Sequence, residues 1–127
     1  PTIYLTFDDG PTPGITEEVL DILDRQRVPA TFFMLGSMVD AHPTIARDVA
    51  ARGHAIGNHG YAHLSGWKTS FRAYAADAQR GLASLKQALD QPISMFRPAY
   101  GQLGPVQGWW LWWSYQIVMW DVVSQDY

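Results

Sequence analysis

Short stretches rich in β-branched and aromatic residues alternate with stretches of helical period along this 127-residue chain, and that alternation constrains its fold more than any other feature. Ile3 to Phe7 has the period and composition of a strand. It stops at Asp8-Asp9-Gly10-Pro11, a strong turn signal. Thr16 is placed to cap a helix whose first turn carries Glu17 and Glu18, with Val19, Leu20 and Leu23 as its apolar stripe. After Pro29, Ala30 to Leu35 reads as a buried second strand ending at Gly36. Pro43 suits the first turn of a helix with Ile45, Val49 and Ala50 on one face, and Gly53 stops it. His54 to Gly57 is a short third strand. Ser70 opens the clearest helix, with Phe71, Tyr74, Ala75, Ala78, Leu82, Leu85 and Leu89 at helical spacing, weakened by Gly81. Ser94 to Phe96 is a fourth strand, Trp109 to Trp113 a helix, and Gln116 to Trp120 a fifth strand.

Strand and helix in strict succession predict one α/β domain over residues 1–127, built on a parallel sheet with right-handed crossovers. Parallel strands need cover on both faces. Only Asp121 to Tyr127 follow the last strand, so a barrel would be unfinished, and the chain is expected to be part of a larger protein or to lack a C-terminal part of the same domain. Nine basic against twelve acidic residues give no basic field, which argues against nucleic acid as a partner. No cysteine is present, so disulfides and thiolate metal sites are excluded. The longest apolar run, Trp109 to Trp120, contains Ser114 and Gln116 and is too short for a transmembrane segment.

Polar residues gather where strands end, the usual location of sites in parallel α/β folds. His59 and His63 follow the third strand at a spacing that puts both imidazoles on one side of a helical turn, close enough to share an ion. Alone, such a pair more often serves as solvated or capping residues; an aspartate pair at another strand end raises its weight as a metal site. Asp8 and Asp9 follow the first strand. Two carboxylates in one pocket repel unless a cation intervenes; a metal on Asp9 would leave Asp8 as a base. The other reading is a turn in which both make local backbone hydrogen bonds. Two histidines and one carboxylate also describe a non-haem iron site, but an adjacent base argues for hydrolysis.

Four motifs, in order, carry a family resemblance. Thr6-Phe7-Asp8-Asp9-Gly10-Pro11, Gly57-Asn58-His59-Gly60-Tyr61-Ala62-His63, Phe96-Arg97-Pro98-Ala99-Tyr100-Gly101 and Trp120-Asp121-Val122-Val123-Ser124-Gln125-Asp126-Tyr127 resemble the first four motifs of the polysaccharide deacetylases, the NodB homology domain of carbohydrate esterase family four. The resemblance implies a deformed (β/α) barrel, here lacking its last strands, and metal-dependent removal of N- or O-acetyl groups from a chitin-, peptidoglycan- or xylan-like glycan. It implies Asp9, His59 and His63 as ligands of zinc or another divalent transition metal, and Asp8 as general base. It implies Arg97 orienting Asp8 and keeping it ionised, the Tyr100 backbone N–H facing the oxyanion, and Asp126 in the outer pair that tunes the catalytic histidine. Pro98, Trp67 and Tyr127 are implied to face substrate, and the setting to be extracytoplasmic or the cell envelope.

The sequence departs from the pattern in four places. Gly60 stands where the family carries Ser or Thr, which ties down the metal loop, so that tie is expected to be lost. Tyr127 replaces a tryptophan, and Val123 the first acid of the fourth motif. The fifth motif, which supplies a histidine general acid, is absent, and His42 and His54 suit surface or capping roles instead. Residues 1–127 alone are therefore expected to turn over weakly, since losing a general acid costs about 10²–10⁴ in rate. The competing expectations are a catalytically silent carbohydrate- or metal-binding domain, and a relative hydrolysing the C–N bonds of cyclic amides. Trp109, Trp110, Trp112 and Trp113 are expected to pack in the core or against further chain rather than to present a sugar platform.

Overall fold

The computed structural model describes residues 2–124. Five strands, β1 (Thr6–Asp8), β2 (Thr31–Met34), β3 (Ala55–Asn58), β4 (Met95–Phe96) and β5 (Gln116–Ile117), form one sheet in sequential order. Every neighbouring pair is parallel. The helices are α1 (Ile15–Gln26), α2 (Gly36–Ala41), α3 (Pro43–Ala51), α4 (Phe71–Ala88) and α5 (Pro105–Trp112), with a short 3-10 turn at Ala99–Gly101.

Alternation along β2 sends Phe32 and Met34 to one face and Phe33 to the other. Phe32, Met34 and Ile56 meet Leu20 and Leu23 of α1, Val39 of α2, Ala46 and Val49 of α3, Leu85 of α4 and Leu89 at its C-terminal cap in the main core. A second cluster joins Tyr74 and Ala78 of α4 to Phe96, Leu111 and Tyr115. Phe33 is fully buried on the opposite face, where the Arg97 guanidinium lies 4.2 Å above its ring.

The sheet curls. In a flat sheet β4 would lie about 14 Å from β1, three strand spacings away. Yet Arg97, just after β4, bonds Thr6 Oγ1 and Asp8 Oδ1 of β1 at 2.8 Å each. The same guanidinium donates to the carbonyls of Val118 and Met119 beyond β5. A single side chain thus draws both edges of the sheet together at the ends of the strands. This is the deformed-barrel geometry, in partial form.

Several sequence expectations need correction. The first strand starts at Thr6, not Ile3, and Ile3 and Tyr4 are almost fully exposed. Among the described residues β1 has only β2 beside it, and Pro29, with no N–H, precedes the point where the pairing begins. The fifth strand stops at Ile117 because the next two carbonyls are taken by Arg97. Thr16 is not the cap of α1: Gly14 is, and the buried Thr16 Oγ1 instead accepts the Thr12 N–H at 2.8 Å. His54 is buried, not superficial; its Nδ1 accepts the Ala30 N–H at 3.2 Å. Of the four crowded tryptophans, only Trp110 packs against the core. Trp109, Trp112 and Trp113 are each about two-thirds exposed, on one face of α5. No helix among the described residues is long and apolar enough to cross a membrane.

Candidate metal centre

The first and third strands flank β2 and end on the same side of the sheet, and the residues that follow them converge. Asp9 follows β1 in a left-handed conformation, φ 70°. His59 follows β3, and His63 closes the same loop at φ 56°. These turns bring a carboxylate oxygen and two imidazole nitrogens to within 4.8 Å of one another. Asp9 Oδ1 lies 3.2 Å from His59 Nε2 and 3.2 Å from His63 Nε2. The sequence expectation that residues 50 positions apart share a site is thus matched in space.

The tautomer of His59 follows from its other nitrogen. Nδ1 lies 2.6 Å from the Arg97 carbonyl oxygen, which can only accept, so Nδ1 carries a hydrogen. In a neutral ring Nε2 would then turn a lone pair toward Asp9. Two filled lone pairs at 3.2 Å repel unless a proton or a cation lies between them. The donor set of one carboxylate and two imidazoles, with the outer nitrogen of one ring bonded to a backbone carbonyl, suits a divalent transition metal. The electrostatics agree. With a proton rather than an ion between them, the hydrogen bond from His59 Nε2 holds the Asp9 carboxyl below its ordinary value; burial opposes this, and the charges of His63 and His59 add to it. Burial holds His63 below its ordinary 6.5, against the pull of the Asp9 charge.

Around this trio sit the other expected residues. Asp8 is fixed through Oδ1 by the buried Arg97. Tyr100, at φ 59°, presents its ring edge to His63 with centroids 4.5 Å apart, so residue 100 borders the trio. Pro98, expected to face substrate, is instead fully buried; it supports the turn between Arg97 and Tyr100 and offers no surface. Trp67 is 72% exposed, in the loop at 64–70. That loop is pinned by a residue the sequence did not flag. Gln107, buried at the start of α5, donates to the carbonyls of Gly66 and Thr69 and accepts the Gly104 N–H. Asp126 and Tyr127 lie outside the described residues.

The loop from 59 to 63 also differs from expectation. The absence of Ser or Thr at position 60 does not leave it untied. The Gly60 N–H is held by Asn58 Oδ1 at 2.9 Å, and Asn58 is itself fixed to the Ala78 carbonyl and the Tyr115 hydroxyl. The N–H groups of Tyr61 and Ala62 end on Asp77 of α4. The Gly60 and Tyr61 carbonyls accept from Gly36 and Ser37 at the start of α2. Gly60 itself adopts φ 80°, and a Cβ there would come 2.7 Å from Asp77 Oδ2. Asn58 was legible as part of a motif, but its role was not, because its partners are a helix carbonyl and a tyrosine far along the chain.

Residues 1–106 match the family model for polysaccharide deacetylase. A chitooligosaccharide deacetylase of Rhizobium leguminosarum bv. trifolii is 57% identical over 61 residues, covering 48% of this chain and 28% of that protein. A peptidoglycan-N-acetylglucosamine deacetylase of Bacillus cereus is 34% identical over 126 residues, covering 98% of this chain and 46% of that protein. Among solved structures, a family 4 carbohydrate esterase from Streptomyces lividans in complex with acetate matches with a TM-score of 0.92 at 29% identity, over 98% of this chain and 65% of that one. The chain spans less than half the length of the two curated relatives. The match runs through the strand ends that carry Asp9, His59, His63 and Arg97, and nearly the whole chain superposes on the solved esterase: the chain belongs to the polysaccharide deacetylase family.

Proposed function

We propose that this chain contributes the metal site and general base of a hydrolase that removes N- or O-acetyl groups from a chitin-, peptidoglycan- or xylan-like glycan. The observation that carries the reading is the convergence of Asp9, His59 and His63 beside an aspartate fixed by a buried arginine. In this reading the three ligands hold zinc or another divalent transition metal. Such an ion supplies Lewis acidity at the acetyl carbonyl and lowers the pKa of a water to about 7. Asp8 takes the proton of the attacking water. Arg97 occupies its Oδ1, so Oδ2 is the oxygen that accepts. The Tyr100 N–H donates to the oxyanion as the carbonyl carbon becomes tetrahedral, a contribution of about 3–4 kcal/mol. Trp67 offers an exposed ring for a pyranose face. Asp126 and Tyr127, from the fourth motif, complete the proposed set. The name of the Bacillus cereus relative, a peptidoglycan-N-acetylglucosamine deacetylase, favours a glycan of the cell envelope, and hence an extracytoplasmic setting.

The test is acetate release from N-acetyl chitooligosaccharides and acetylated xylan by the full-length protein, zinc-loaded and chelated. Zinc-dependent release, lost in Asp9→Ala and His63→Ala and reduced at least 10²-fold in Asp8→Asn, is the expected result. Stoichiometric zinc without release would make this a silent binding domain. Release from small cyclic amides alone would move the substrate out of the glycans.

A further inference from the structure

We infer that Asp77 is a positioning residue for the metal centre, acting through the backbone of the loop that presents His59 and His63. This inference rests on the metal-site reading above. The loop is short and conformationally committed: Gly60 and His63 both take left-handed φ angles, at 80° and 56°. Such a path persists only when its surroundings over-determine it. Two successive amides, Tyr61 and Ala62, point the same way and need acceptors. The two oxygens of Asp77 take one each, Oδ2 from Tyr61 at 2.9 Å and Oδ1 from Ala62 at 3.1 Å. Both oxygens are therefore committed to the loop. Asp77 is not part of the converging trio, so it acts on the ion only through the path of the chain.

Asp77 can impose that path because its own helix cannot shift. Ala78, the next residue, is buried, and Gly81 packs so closely on the loop that a Cβ there would lie 2.6 Å from the Gly60 carbonyl. The Arg80 guanidinium sits 3.6 Å from the centroid of the Tyr61 ring, on the same side. The sequence showed none of this, because the acceptor is a helix acid and the donors are backbone groups 15 and 16 residues earlier. The carboxylate takes over the tie that Gly60 cannot make.

The experiment compares native full-length protein with Asp77→Asn and Asp77→Ala. Zinc affinity is measured by chelator competition, Co(II) absorption reports the ligand geometry, and amide hydrogen exchange is followed in the metal-free protein. Asn keeps the shape but offers an acceptor to only one of the two N–H groups. Zinc affinity should fall about 10-fold in Asp77→Asn and up to about 100-fold in Asp77→Ala, with a changed Co(II) spectrum. The Tyr61 and Ala62 amides should exchange faster, while those of Phe32 and Ile56 do not. Leu23→Ala, which destabilises the core on α1, should leave affinity and spectrum unchanged; a purely structural Asp77 would behave like it. Zinc affinity of Asp77→Asn within twofold of native overturns the inference, even if exchange rises. If the native protein binds no zinc, the metal-site reading fails instead. Exchange at Tyr61 and Ala62 then decides on Asp77 alone: unchanged rates reject it and faster rates support it.

Discussion

Arg97 makes four side-chain hydrogen bonds while 3% exposed, and they reach β1 on one side and the segment after β5 on the other. Truncation leaves the Asp8 carboxylate without its counter-charge and two carbonyls without donors. Asp8 is about one-third exposed, so water recovers part of the loss. Arg97→Ala should therefore cost about 2–4 kcal/mol, less than a fully buried pair. Arg97→Lys should recover little, since one ammonium cannot reach both edges in fork geometry. Urea unfolding of the metal-free protein checks both variants; a loss under 1 kcal/mol for Arg97→Ala would mean the two edges hold together without it. A second residue-scale prediction concerns protons. Zinc requires neutral imidazoles and an ionised carboxylate. Burial lowers His63, and His59 lowers Asp9, so both are already in their ligand forms at neutral pH. Zinc affinity should be level above about pH 6.5 and fall below it, by about one decade per pH unit for each proton displaced. Chelator-competition titrations across that range test this. A decline that begins above neutrality would show His63 to be more basic than its burial implies.

At the scale of elements, the tightest constraint is the crossing of α4 over the metal loop. In an exposed helix, Gly81→Ala would gain about 1 kcal/mol from propensity. Here the added methyl meets backbone atoms of Gly60 at 2.6 Å and Asn58 Oδ1 at 2.7 Å, none of which is the free end of a flexible chain. Overpacking of this kind costs about 1–3 kcal/mol and should win, leaving a net loss of up to about 2 kcal/mol and weaker zinc binding. A higher urea midpoint for Gly81→Ala would contradict the close approach. The same glycine shows what sequence reading reaches. Periodicity found five strands and four of the five helices, because each buries one face against the sheet. It marked Gly81 as a weakness in α4, since a requirement imposed by a loop 21 residues earlier leaves no local signal. It passed over α2, because six residues are too few to display a period. It placed Asp8, Asp9, His59, His63 and Arg97 at strand ends, where parallel folds gather their chemistry. It missed Asp77 and Gln107, whose partners are backbone groups of distant loops. The end of β5 was set by Arg97, a tertiary contact that alternation cannot foresee.

On the scale of the whole molecule, the feature that most needs an explanation is apolar surface on both sides of an unclosed sheet. β1 pairs only with β2 and β5 only with β4, so each presents an unpaired edge among the described residues. Ile3 and Tyr4 are exposed before the first edge, and Val122 and Val123 after the last. On α5, Val106, Trp109, Trp112 and Trp113 form an exposed face, and the helix carries no charged residue. Soluble monomers rarely leave contiguous apolar patches of this extent uncovered, and bare strand edges pair with one another. With a net charge of only -3, repulsion between copies is weak. A polypeptide of residues 1–127 should therefore self-associate reversibly at micromolar concentration, seen as a sedimentation coefficient that rises with loading. Trp112→Lys with Trp113→Lys should reduce this by placing like charges on the patch, without touching Asp9, His59 or His63. If association is driven by the strand edges instead, the double variant will associate as before, and a lysine at Ile117 on β5 will be the substitution that disperses it. A monodisperse monomer in all three would mean that the tryptophan face folds back on itself more fully than its ring contacts, 5.8 and 6.3 Å between centroids, indicate.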